Sequence, residues 1–73
     1  MDKTQRTAST LRQARLNLKL SQLKVATQSD INLGQYQRLE YGQRDLSRTS
    51  MRIGLAICSV LHLDPFALVL QED

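Results

Sequence analysis

Residues 21–42 read SQLKVATQSDINLGQYQRLEYG, and two helix starts, one tight turn and one helix stop are packed into them. Ser21 is a good N-cap, because its hydroxyl oxygen can accept a first-turn backbone N–H. Leu23, Val25 and Ala26 then supply the apolar content of a short helix over about 22–28. Ser29-Asp30 breaks it. Aspartate tolerates a left-handed backbone better than most residues, so a tight turn can sit there without glycine. Asn32 is the next N-cap, and Gln35, three residues on, completes a capping-box arrangement. A third helix is predicted over 33–41, with Tyr36 and Leu39 facing inward. Gly42 follows it and is the preferred residue just past a helix end.

Outward from this stretch the chain keeps the same character. Leu11, Ala14 and Leu18 recur at spacings of three and four and predict a first helix over about 7–18. Arg12 and Arg15 flank that stripe. Residues 43–49 are polar and read as a loop. A fourth helix is predicted over 50–61, with Ile53, Ile57, Val60 and Leu61 on its buried side. Asp64-Pro65 starts a last short helix, with Asp as cap and Pro at the first position. Leu63 and Leu68 are spaced as a hydrophobic staple around that cap. Strand-like alternation is absent, and glycine and proline are scarce at three and one. The reading is one all-α domain with short turns.

Composition narrows the function classes. The chain has 73 residues, 41% of them hydrophobic, which is enough for one core. Cys58 is alone, so neither an internal disulfide framework nor a cysteine-based zinc site is expected. No apolar run approaches the roughly 20 residues of a membrane span, and no signal-peptide core follows the polar first residues. A soluble, cytoplasmic protein is expected. Ten Lys and Arg against seven Asp and Glu give a net charge of +3. Most of the basic residues lie at or before Arg44, a placement that suits a polyanion. Taken alone, the charge fits an ordinary solvated helical surface as well.

Two short helices joined by three or four residues can pack at a steep angle. The second can then protrude far enough to enter a DNA major groove, which is wide enough for one helix. At this point the sequence resembles the Cro/C1-type helix-turn-helix family, also called the XRE family. The marks are Ser21-Gln22, then Val25-Ala26, then Tyr36, Leu39-Glu40 and Gly42. Ile57-Cys58, Leu61, Leu63, Phe66 and Leu68 resemble the family's last two helices. The resemblance runs from about Leu11 to Leu68. It implies a compact bundle of about five short helices, a lambda-repressor-like DNA-binding domain that acts on double-stranded DNA as a sequence-specific transcriptional regulator.

The same resemblance distributes roles. Ser21 and Gln22 open the second helix, where the family contacts DNA phosphate, and a helix N-terminus attracts anions. Asn32, Leu33, Gly34, Gln35 and Arg38 fall on the face that meets bases. Arg38 is the strongest reader, since a guanidinium grips guanine O6 and N7 with two hydrogen bonds. Asn32 would take an adenine or a phosphate, and Leu33 a thymine methyl. Gly34 has no side chain and would instead let the helix approach closely. Gln37 on the same helix, with Gln43, Arg44 and Arg48 after it, would meet phosphates. Glu40 would be repelled by DNA, and the resemblance pairs it with Arg15 in a bridge that fixes the third helix against the first. Asp30 departs from the usual turn glycine, Ser29 from an apolar residue, and Gly34 costs its helix roughly 1 kcal/mol relative to alanine.

Other residues read as structural. Cys58 is a small core residue, His62 a solvated or helix-terminating one, and Tyr36 and Tyr41 pack rather than stack on bases. No catalytic residue, metal site, cofactor or small-molecule ligand is expected. A homodimer reading two half-sites about one helical turn apart is expected, with the apolar stretch 66–70 as its surface. The competing function is a protein-interaction module of the same fold, antitoxin- or antirepressor-like. An enzyme ranks third, for want of paired carboxylates, a Gly-rich phosphate loop or a nucleophile with a base.

Overall fold

The computed structural model describes residues 2–70. They form α1 (Lys3–Asn17), α2 (Gln22–Gln28), α3 (Leu33–Glu40), α4 (Met51–Leu61) and α5 (Pro65–Val69), with a 3-10 turn at Leu46–Arg48. No strand occurs among the described residues, so the all-α fold of five short helices is as expected.

Every α-helix opens on a side-chain cap. Asp2 accepts from the Gln5 amide at 2.8 Å, Ser21 from Lys24 at 3.0 Å, and Asn32 from Gln35 at 2.8 Å. Ser50 accepts from Ile53 at 3.2 Å, and Asp64 from Phe66 at 3.0 Å with Pro65 behind it. At Asn32 the box closes, since the Gln35 side chain accepts from the Asn32 amide at 3.1 Å.

The first four helices also share one ending. A left-handed residue follows each: Lys19 (φ 59°), Asp30 (φ 58°), Gly42 (φ 74°) and His62 (φ 58°). The next amide then turns back five residues. Leu20 donates to the Arg15 carbonyl at 3.1 Å, Ile31 to Ala26 at 3.0 Å, Gln43 to Arg38 at 2.8 Å and Leu63 to Cys58 at 2.8 Å. This is the Schellman closure, which satisfies the last carbonyls and brings the following residue back over the helix. Leu20, Ile31 and Leu63 thereby pack against the core.

That core is Leu11 from α1, Val25 and Ala26 from α2, Tyr36 and Leu39 from α3, Leu46 from the 3-10 turn, Ile57, Cys58 and Leu61 from α4, and Leu68 from α5. Ala14, Ile53, Val60 and Leu63 pack against it partly buried. Leu68 is buried in the core and Leu63 packs against that core, on either side of the Asp64 cap, the placement a staple requires. Burial pushes the Cys58 thiol up from its ordinary range and leaves it a core residue.

Four details differ from the sequence reading. α1 begins at Lys3 rather than residue 7, because Asp2 caps it there. Leu18 is 37% exposed and outside the core. The chain leaves α1 at Leu18 and turns left-handed at Lys19, so Leu20 takes the inward place. α3 ends at Glu40, one residue early, and Ser50 is the cap of α4 instead of its first turn. Leu46, inside the stretch read as a polar loop, is buried and anchors that loop to the core.

A left-handed residue with a side chain is costly by about 1–2 kcal/mol, against about 0.4–1 kcal/mol for the unfolded-state freedom that glycine adds. The Lys19→Gly/His62→Gly chain should therefore be about 1–2 kcal/mol more stable than the parent. Urea unfolding measures this, and an unchanged or lower midpoint would contradict the closure as described.

Candidate nucleic-acid interface

α3 reaches its position through one buried ion pair. Glu40, the only acid on α3, has a side chain with no exposed surface, and Arg15 from α1 is 13% exposed. Arg15 Nη2 donates to Glu40 Oε1 at 2.7 Å, and Nε lies 3.1 Å from both carboxylate oxygens. Nη1 donates to the Leu20 carbonyl at 2.9 Å. One guanidinium thus holds α1, the α1–α2 connection and the end of α3 together, and the Glu40 hydrogen bond raises the Arg15 pKa further. The Tyr36 hydroxyl is buried beside this pair without a well-formed hydrogen bond. Burial foremost, then the negative charge of Glu40, pushes its phenol far above the ordinary tyrosine range.

With Glu40 neutralised inside, α3 presents Gly34, Gln35 and Arg38 fully outward and Leu33 and Gln37 half-buried. The Arg38 guanidinium makes no hydrogen bond or ion pair among the described residues, so its five N–H donors are free. Asn32 is exposed but its Oδ1 is occupied as the cap, and Gln35 Oε1 returns the bond. Each keeps its NH2 group as a free donor. A methyl group at Gly34 would meet only Asn32 Oδ1 at 3.5 Å, an ordinary contact. Packing within the fold therefore does not require glycine there.

The start of α2 lies alongside. Ser21 Oγ is used by the Lys24 amide, and the amides of Gln22 and Leu23, as first-turn donors, have no carbonyl within the helix. The Gln22 side chain bonds to α3: Gln37 Nε2 donates to its Oε1 at 3.1 Å, and its Nε2 donates to the Tyr41 hydroxyl at 3.2 Å. Tyr41 was read from sequence as packing only. Tyr41 is 54% exposed, and its hydroxyl joins the two helices of the motif. A bond between residues 19 positions apart leaves no local signal.

Beyond α3, Gly42 takes a positive φ that glycine adopts freely, and Gln5 from α1 donates to its carbonyl at 3.4 Å. Gln43, Arg44 and Arg48 are exposed in the loop that follows. Arg44 lines a groove with Gln35, Arg38 and Ser50 and also a polar hollow with Gln43, Arg48 and Thr4, so the loop cations continue directly from the α3 face. Asp45 accepts from the Ser47 amide at 3.0 Å and hydroxyl at 2.9 Å. The Ser47 amide foremost holds its carboxyl below the usual range.

The expected residues are thus contiguous: α2 start to α3 through Gln22 and Gln37, and α3 to loop through Arg38 and Arg44. The surface is rich in N–H donors and suits phosphate oxygens and base-edge acceptors. Among the described residues no group of His, Cys, Asp and Glu side chains is arranged to hold a metal ion, and no helix is long and apolar enough to cross a membrane.

Removing Arg15 leaves a buried carboxylate unpaired, which costs about 3–5 kcal/mol. Arg15→Met should lose that much, enough to unfold much of a chain this small. Arg15→Met/Glu40→Leu should recover at least half of it, because the uncompensated charge is gone. Denaturant titration of both variants checks this, and a double variant no better than the single would contradict the pairing.

A family model described as helix-turn-helix matches residues 11–66. No curated protein and no solved structure matches the chain in the corresponding searches. The matched span takes in the end of α1, all of α2, α3 and α4, and the start of α5, which includes both partners of the buried pair and the whole donor-rich surface. The chain belongs to the Cro/C1-type (XRE) helix-turn-helix family of DNA-binding regulators.

Proposed function

We propose that the protein is a sequence-specific double-stranded DNA-binding transcriptional regulator that lays α3 in the major groove. The observation that carries this is the division of charge on α3. Its one acid is buried against Arg15, while Arg38 stands exposed without a partner among the described residues. In this reading Arg38 takes guanine O6 and N7. Asn32 and Gln35 offer their free NH2 donors to base acceptors, and Leu33 meets a thymine methyl. Gly34, which packing within the fold does not demand, lets the α3 backbone come close to the base edges. Ser21 and Gln22 at the α2 start, with Gln37, Gln43, Arg44 and Arg48, hold phosphates.

One such face offers few base contacts, and a homodimer on two half-sites about one helical turn apart supplies the rest. Met51 (79% exposed), Leu55, Phe66 (73%) and Leu70 (69%) form an apolar surface with Pro65 and Val69 that supports a second copy as partner. A repressor working in the cytoplasm fits this reading. The same apolar face also favours one other reading, a protein-interaction module with weak DNA readout.

Selection from a pool of random duplexes across a salt series tests the proposal. Retention should fall steeply with salt, and the retained sequences should share a two-fold-related motif. Arg38→Ala should lose about 1–3 kcal/mol, concentrated at one base position in each half. No retention at low salt, or retention without enrichment, would favour the interaction module. A loss spread evenly over all sequences would move Arg38 to a phosphate.

A further inference from the structure

The hydrogen bonds around Gln22 carry a consequence for how the α2 anchor works. Gln22 is the first residue of α2, and its side chain is half-buried against α3. Its Oε1 accepts from Gln37 Nε2 at 3.1 Å and lies 3.4 Å from the Tyr41 hydroxyl. Its Nε2 donates to that same hydroxyl at 3.2 Å. Gln37 and Tyr41 are four residues apart, so they share one side of α3 and its cap.

A carboxamide carries two donors and one acceptor oxygen. Here the oxygen is occupied by α3, and one N–H is spent on Tyr41. The other N–H remains, on the side chain that opens α2, beside the free amides of that helix start. What is left facing outward is therefore a donor and not an acceptor. That polarity matches a phosphate oxygen. A freely rotating glutamine on a helix start would present oxygen and nitrogen alike and would lose rotamer freedom on binding.

We propose that Tyr41 and Gln37 are positioning residues that lock the Gln22 carboxamide with its free N–H toward a DNA phosphate. The inference rests on the DNA-binding reading above and deepens it: the phosphate anchor on α2 is set from α3, so anchor and reader move as one unit. Gln37 then acts through Gln22 more than on DNA directly. Tyr41 contributes its hydroxyl, while its exposure leaves the fold independent of it.

The test uses the full chain and two readouts. In the free protein, the Gln22 side-chain amide should show a high NMR order parameter. Exposed Gln28, with no side-chain bond, serves as the mobile reference. Tyr41→Phe should lower the Gln22 value toward that of Gln28 and leave the thermal midpoint unchanged. On a duplex recovered by selection, Tyr41→Phe should weaken binding about fivefold, and in a Gln22→Ala background the same change should have no further effect. The proposal is overturned if Gln22 is as mobile as Gln28 in the parent, or if Tyr41→Phe leaves its order and the affinity unchanged. It is also overturned if the affinity loss persists in Gln22→Ala, since Tyr41 would then touch DNA itself. A chain that retains no duplex overturns the DNA-binding reading instead, and the order parameters still decide the lock.

Discussion

A carboxylate at the end of α3 with no exposed surface has to find a cation, and Arg15 is the cation that meets it. The guanidinium takes both Glu40 oxygens and the Leu20 carbonyl at once. Buried pairs of this kind are weak sources of net stability, because desolvation offsets most of the Coulomb gain. Their force lies in what happens when the geometry is wrong, since an unpaired buried charge is heavily penalised. Here that penalty fixes the distance and angle between α1 and α3. It also removes the one negative charge from α3, the helix proposed to face DNA. Orientation and electrostatics of the binding face thus follow from the same contact.

The two ends of each helix were unequally legible. Ser21, Asn32 and Asp64 announce their helices because capping is local chemistry between residues two or three apart. The stops at Asp30 and Gly42 were readable for the same reason. Lys19 was not, because nothing in a lysine favours a left-handed backbone. It adopts one because Leu20, one residue on, gains burial against the core. The same pull explains why Leu18, in register with Leu11 and Ala14, ends up exposed. Leu46 was hidden among polar neighbours, and only tertiary packing shows that it anchors the loop.

The binding surface shows a similar split. Arg38, Gly34 and the capping pair of Asn32 and Gln35 are placed by helix periodicity alone, and the family resemblance supplied their roles. The Arg15–Glu40 pair came from that resemblance too, since no spacing rule joins residues 25 apart. The Gln22–Gln37–Tyr41 bonds came from neither, because they depend on the crossing of α2 over α3. Side chains that set a neighbour's direction leave weaker traces than side chains that end a helix.

We propose that the start of α2, the exposed side of α3 and the loop after Gly42 act as one surface held by the buried pair. Mapping backbone amide shifts of the full chain as a selected duplex is added tests it most directly. Shifts should cluster at residues 21–24, 32–38 and 41–48, at one common saturation point. Shifts centred on Met51, Leu55 and Phe66 instead, with α3 unchanged, would contradict it.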